Sequence, residues 1–172
     1  MSQTLNHRVA VLTGTFDPVH LGHIDIIRRG SHVFDRVIVG VGINPDKEPL
    51  FTADERVALL REVSRPFPNV EVQQFNGLAV RFVRQSGARV MLRGLRTLSD
   101  MEYEFTMSLM NQNLDPELET IFLMANEEYS HVSSTMLRGI ASFQEDLSKF
   151  LPPAVQSALV AKVNQTHGGR RA

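Results

Sequence analysis

The sequence predicts an α/β protein, a doubly wound sheet of five parallel strands with helices on both faces. Three observations predict it. Strand-like and helix-like patterns alternate along the whole chain, as they do where parallel strands are joined by helical crossovers. Residues 36–43 read RVIVGVGI, a nearly continuous apolar run of the kind a strand shows when both of its faces are covered. The chain has 172 residues, enough for one domain with a substantial core and short for two.

The elements follow in order. Residues 8–13 (RVAVLT) read as the first strand, 21–34 as a helix and 36–43 as the second strand. A loop over 44–51 carries two prolines. Thr52-Ala53-Asp54-Glu55 has the form of a capping box and opens a helix to about Ser64. Residues 70–75 form a strand, 78–85 a short helix and 88–92 the fourth strand. Ser99-Asp100-Met101-Glu102 reads as a second capping box, opening a helix with Leu98, Met101, Phe105 and Leu109 on one face. Residues 120–124 form the fifth strand, and 134–143 and 153–163 two closing helices. No repeat, low-complexity segment or linker divides this run, so residues 1–165 are expected to be one domain. The segment 166–172, with its Gly-Gly-Arg-Arg, is expected to be a mobile tail.

Composition narrows the function. Hydrophobic residues make up 42% and charged residues 22%, the balance of an ordinary soluble globular domain. The net charge of −1 gives no basic footprint for nucleic acid and no polybasic membrane signal. The absence of cysteine excludes disulfides, zinc–thiolate sites and a thiol nucleophile. No apolar stretch approaches the ~18 residues of a membrane helix, and MSQTLNHR lacks the apolar core of a signal peptide. A cytoplasmic location is the expectation.

In a doubly wound sheet, ligands bind beyond the carboxyl ends of the strands. Four clusters of phosphate-friendly residues fall there. Gly14 to Pro18 (GTFDP) follows the first strand, and His20-Leu21-Gly22-His23 enters the first helix. Three residues apart, the two histidines share one side of a helical turn. A helix N-terminus offers free N–H groups to an anion, and Gly22 lets a ligand approach the backbone. A metal fits less well, because no third ligand stands nearby. Lys47 lies in the loop after the second strand. Arg93-Gly94-Leu95-Arg96 follows the fourth, and arginine grips phosphate oxygens bidentately. After the fifth comes Tyr129-Ser130-His131-Val132-Ser133-Ser134-Thr135, whose hydroxyls and helix-start N–H groups suit a polyphosphate. The plainer readings are a solvated arginine pair, a solvated lysine and a serine N-cap. GxxxxGK[ST] and a GxGxxG after the first strand are both missing, which excludes the common phosphate loop and gives no support for dinucleotide binding.

GTFDP with His20-x-Gly22-His23, and Val132-Ser133-Ser134-Thr135-x-x-Arg138 near the end, resemble the nucleotidyltransferase superfamily of HxGH and (I/V)SSTxxR motifs. Within it the chain is most similar to the phosphopantetheine adenylyltransferase family. Pro45-x-Lys47-x-Pro49-x-Phe51-Thr52, the RGLR stretch and Asp100-x-Glu102-Tyr103-Glu104 carry that narrower likeness. Leu109-Met110-Asn111 and Phe122-Leu123-Met124 also fit, and the resemblance spans roughly residues 9–162. Four positions depart from the family pattern. Leu12-Thr13 stands where Tyr-Pro is frequent, Ala125 where proline is common, and His20 where several members carry Thr or Asn. These bear on adenine-side contacts, and none removes a phosphate-binding group.

The resemblance implies a Rossmann-like nucleotidyltransferase fold. The implied reaction is reversible transfer of the adenylyl group of ATP to 4′-phosphopantetheine, giving dephospho-coenzyme A and pyrophosphate. His23, Lys47 and Arg96 are the implied catalytic residues, with His23 at the α-phosphate. Arg96, Ser133, Ser134 and Thr135 would hold the β- and γ-phosphates. Phe16, Gly94, Leu95, Glu104, Tyr129, Ser130, His131 and Val132 would complete the nucleotide site. Lys47 and Arg93 would hold the acceptor phosphate, with Thr15 between both substrates. Leu78, Ala79, Met110 and Asn111 would line the pantetheine arm. Mg²⁺ would enter with ATP, held by nucleotide oxygens and water rather than a protein cage. A homohexamer and feedback binding of coenzyme A are also implied, with no nucleic-acid or membrane partner. Two alternatives stay open: the same chemistry on another phosphate acceptor such as nicotinate mononucleotide, and a non-catalytic nucleotide-binding protein.

Overall fold

The computed structural model describes residues 4–44 and 48–168. Its elements are β1 (Asn6–Gly14), α1 (Leu21–Val33), β2 (Arg36–Ile43), α2 (Ala53–Ser64), β3 (Val70–Asn76), α3 (Ala79–Gln85) and β4 (Ala88–Leu95). They continue with α4 (Leu98–Leu114), β5 (Glu119–Met124), a 3-10 turn (Glu127–Tyr129), α5 (Ser134–Ala141) and α6 (Pro153–Gly168). The five strands form one parallel sheet in the order β3-β2-β1-β4-β5, as expected. The chain steps outward from β1 to β3, then returns to lay β4 on the other side of β1. This reversal opens a crevice beyond the carboxyl ends of β1 and β4, where ligands bind in such sheets.

The alternation of side chains along a strand divides the core between two faces. Ala10 and Leu12 of β1 pack with Val37, Val39 and Val41 of β2 under α1, α2, α5 and α6. Val9 and Val11 point the other way, into a smaller cluster with Ile38, Val80, Val83 and Met91. Among the described residues, no helix is long and apolar enough to cross a membrane.

The capping box at α2 forms: Thr52 N donates to Glu55 Oε2 at 2.7 Å, and Glu55 N to Thr52 Oγ1 at 3.2 Å. Three expectations need correction. The strand expected over 88–92 runs on to Leu95, so Arg93, Gly94 and Leu95 stand inside β4. Its ladder to β1 ends at Leu12 with Leu92, but β5 continues to pair it through Leu95 with Met124. The cap of α4 is Thr97, whose hydroxyl accepts Asp100 N at 3.1 Å, in place of the box expected at Ser99. The stripe Leu98, Met101, Phe105 and Leu109 lies on α4 as expected and is exposed, and α4 has no buried residue. The final helix extends to Gly168; residues 169–172 of the expected tail lie outside the described residues.

Candidate active site

A cleft of about 330 Å³ opens beyond β1 and β4. His20, the N-cap of α1, with Gly22 and His23 of its first turn, forms one wall, and Arg93 and Gly94 of β4 with Arg96 just beyond it form another. Phe16, Glu104 and Tyr129 contribute, and Ser133, Ser134 and Thr135 line it from the start of α5. A second pocket of about 400 Å³ lies beside it, lined by Thr15, Gly42, Ile43, Asn44, Phe75 and Gly77. Thr13, Gly14 and Arg93 line both, so the two hollows share a wall.

The backbone leaves β1 sharply. Phe16 has φ of 52°, a conformation that costs a non-glycine residue energy and collects at functional sites. This turn lays the Phe16 ring over Gly14, where a Cβ would come within 2.9 Å of it, and edge-on to His23 at 4.9 Å between centroids. The His20 and His23 rings stack at 3.6 Å. Gly22 accommodates the stack: a Cβ there would meet the His20 ring at 3.1 Å and Tyr129 at 3.2 Å. His20 N donates to His23 Nδ1 at 3.2 Å. Because Nδ1 accepts, the neutral ring carries its proton on Nε2. Burial first, then His20 and the nearby Arg96 and Arg93 charges, hold the His23 pKa well below the ordinary histidine value. His23 is therefore a neutral, pre-oriented donor at the cleft.

The arginines hold carboxylates. Arg93 Nε donates to Glu104 Oε2 at 2.8 Å, its Nη2 bonds Glu104 Oε1, and its Nη1 reaches Thr13 Oγ1 at 3.2 Å. Arg96 is forked on Asp100 at 2.9 and 3.2 Å and donates to the Val132 carbonyl at 2.8 Å. α5 is tied to the loop after β1: Ser134 Oγ donates to Pro18 O at 2.8 Å, and Arg138 reaches Asp17 Oδ2 at 3.2 Å. Asp17 is buried and accepts from Leu50 N and Phe51 N, each at 2.9 Å. Ser133 caps α5 by accepting Met136 N.

Not every residue singled out from the sequence reaches the cleft. Leu95 and Val132 are core side chains. Ser130 donates to Glu127 O, and His131 is exposed with its ring edge-on to Phe150. Thr15 lies in the second pocket. Leu78 and Met110 are exposed, Ala79 packs on the smaller core, and Asn111 donates to Met91 Sδ at 3.5 Å. Lys47 lies outside the described residues. His20 lines the cleft beside His23, and Thr13 and Asp100 line it without having been assigned to it. The Arg96–Asp100 spacing of four was the available signal for the last. Among the described residues, no three His, Asp or Glu side chains gather as a metal cage.

The chain matches the family described as cytidylyltransferase-like over residues 11–140. It is 51% identical over 162 residues to a phosphopantetheine adenylyltransferase of Rhodopirellula baltica, covering 92% of this chain and 90% of that one. It is 48% identical over 155 residues to the protein of that name from Alkaliphilus metalliredigens, covering 90% and 99%. A phosphopantetheine adenylyltransferase of Azoarcus is 51% identical over 156 residues, covering 91% and 96%. A crystal structure from Vibrio parahaemolyticus, provisionally assigned as a nicotinate-nucleotide adenylyltransferase, shares the fold. Its TM-score is 0.64 at 20% identity, over 90% of this chain and 93% of that one.

Proposed function

We infer the reaction from one premise: this chain belongs to the phosphopantetheine adenylyltransferases of the cytidylyltransferase-like family. It transfers the adenylyl group of ATP to 4′-phosphopantetheine in coenzyme A biosynthesis. The observation that carries the geometry is the shared wall of Thr13, Gly14 and Arg93 between two pockets. It suits two phosphate-bearing substrates meeting at one point.

An acceptor phosphate oxygen attacks the α-phosphorus of ATP. The bond to the α–β bridging oxygen breaks, pyrophosphate leaves, and dephospho-coenzyme A remains. A phosphate monoester is largely ionised near neutral pH, with a second pKa of about 6, so the attack needs no strong base. Positioning and charge stabilisation supply the catalysis. His23 donates its Nε2 proton as a hydrogen bond to an α-phosphate oxygen as charge builds there. Arg96, Ser133, Ser134 and Thr135 bind the β- and γ-phosphates. Arg93 holds the acceptor phosphate, and Thr15 stands at the acceptor side. Lys47 joins Arg93 on the strength of its sequence match. Gly94, Phe16, Glu104 and Tyr129 shape the nucleotide side. Leu78, Ala79, Met110 and Asn111 are assigned to the pantetheine arm by likeness to the family. Magnesium would enter with ATP and offset part of the polyphosphate charge beside Arg96, Ser133, Ser134 and Thr135.

The enzyme works in the cytoplasm as a homohexamer, and coenzyme A occupies the acceptor and nucleotide pockets as a feedback ligand. The exposed apolar residues of α4 and β5, among them Leu98, Phe105 and Met124, support self-association. Pyrophosphate release from ATP and Mg²⁺ tests the reaction, with 4′-phosphopantetheine, nicotinate mononucleotide, glycerol 3-phosphate or no acceptor. Release with 4′-phosphopantetheine alone is expected. Release only with another acceptor would replace the substrate, and silence throughout with ATP bound would leave a binding protein.

A further inference from the structure

Arg56, on α2, is buried at 3% exposure. A guanidinium out of water depends on the hydrogen bonds that replace its hydration. Its partners here are main-chain carbonyls: Nη1 donates to Thr15 O at 2.8 Å and Gly42 O at 3.1 Å, and Nε to Phe51 O at 3.1 Å. The place of these carbonyls matters. The last rung between β1 and β2 is Gly14 with Val41. One residue further on, at Thr15 and Gly42, the chains diverge and Phe16 turns away with its positive φ. Thr15 and Gly42 are also two walls of the second pocket. Arg56 thus bridges the two strand ends from behind, after the ladder has stopped, and holds the first turn of α2 to both.

We propose that Arg56 is a positioning residue for the acceptor pocket, its fork fixing the Thr15 and Gly42 walls so that the pocket keeps one shape. It touches neither substrate. The nucleotide cleft is held by other bonds, those from Arg96 to Asp100 and Val132 and from Ser134 to Pro18, so the effect should fall on the acceptor. The planar fork is what the geometry needs, since a lysine ammonium is a compact point charge on a flexible stem.

The inference rests on the acceptor reading above, and its test separates the two. Steady-state kinetics and ATP titration calorimetry are compared for the parent, R56K, R56M and L60A. Leu60 is a fully buried core residue one turn along α2 and reports general destabilisation. R56K keeps the charge and protects against a variant that fails to fold. Expected for R56K is an acceptor KM raised about tenfold or more, the scale of losing one charge-assisted hydrogen bond, with ATP affinity within about twofold of the parent. L60A should lower the melting temperature without that split. Equal losses for both substrates, the same split in L60A, or parental kinetics in R56K would each overturn the role of Arg56. A parent that prefers another phosphate acceptor overturns the substrate reading alone, and the comparison then runs on that acceptor. A parent silent with every acceptor overturns both.

Discussion

His20 and His23 are joined twice, by a backbone N–H of His20 on Nδ1 of His23 at 3.2 Å and by ring stacking at 3.6 Å. The bond sets the tautomer and the stack sets the ring plane. H23A removes the Nε2 donor together with the Nδ1 acceptor of His20 N, so a modest loss of stability accompanies it. The catalytic rate of the folded variant should fall by roughly 10² to 10³, the scale for one preorganised transition-state donor. Stopped or steady-state pyrophosphate assays check it, and a rate within about twofold of the parent would remove His23 from the chemistry.

The same pair makes the fold acid-sensitive. Burial, then the Arg96 charge, lowers the pKa of His20 from 6.5 to about 4. Between these values the unfolded chain binds a proton that the folded chain refuses. Stability is therefore complete above about 6.5 and falls as pH drops toward 4, by on the order of 3 kcal/mol from this residue. H20F keeps an aromatic ring beside His23 and removes the titration. Thermal melts at pH 7.5 and 5 should show a smaller acid loss in H20F than in the parent. An equal loss would mean that the acid sensitivity lies elsewhere.

Arg93 faces both pockets and is held by Glu104 on two nitrogens. R93A should mainly disrupt use of the acceptor, seen as a rise in its KM larger than any change in ATP affinity. E104A should act through Arg93, with a smaller effect of about tenfold, the scale of one charge-assisted contact. Because both changes remove one interaction, the double variant should cost no more than R93A alone. Full additivity in that cycle would show that Glu104 acts independently of Arg93.

The fold was legible where a pattern is local. The apolar run RVIVGVGI and the Thr52–Glu55 box lie where the periodicity put them, since a covered strand and a capped helix are set by their own residues. The end of β4 was not legible, because Arg93 to Leu95 stay extended only through β5. The α4 stripe shows the limit of periodicity: it reports an apolar face, not what the face meets. The HxGH spacing announced the histidine pair, and RGLR announced both cleft arginines. Arg56 gave no signal. In sequence it is one more charge on a capped helix, and its burial follows only from where β1 and β2 end.

That unburied α4 face supplies the last prediction. Leu98, Met101, Phe105 and Leu109 are 82, 51, 57 and 47% exposed, and Met124 on the edge strand β5 is 60% exposed. Exposed apolar surface of this kind favours association, and burial of each large side chain there contributes about 1.5–3 kcal/mol. The chain should therefore sediment as a multimer of its 19.3 kDa protomer. F105E with L109E, which sets two like charges one helical turn apart on that face, should shift it to smaller species while leaving the α/β circular dichroism signal in place. A parent that sediments as a protomer at micromolar concentration would show that α4 serves no copy of this chain.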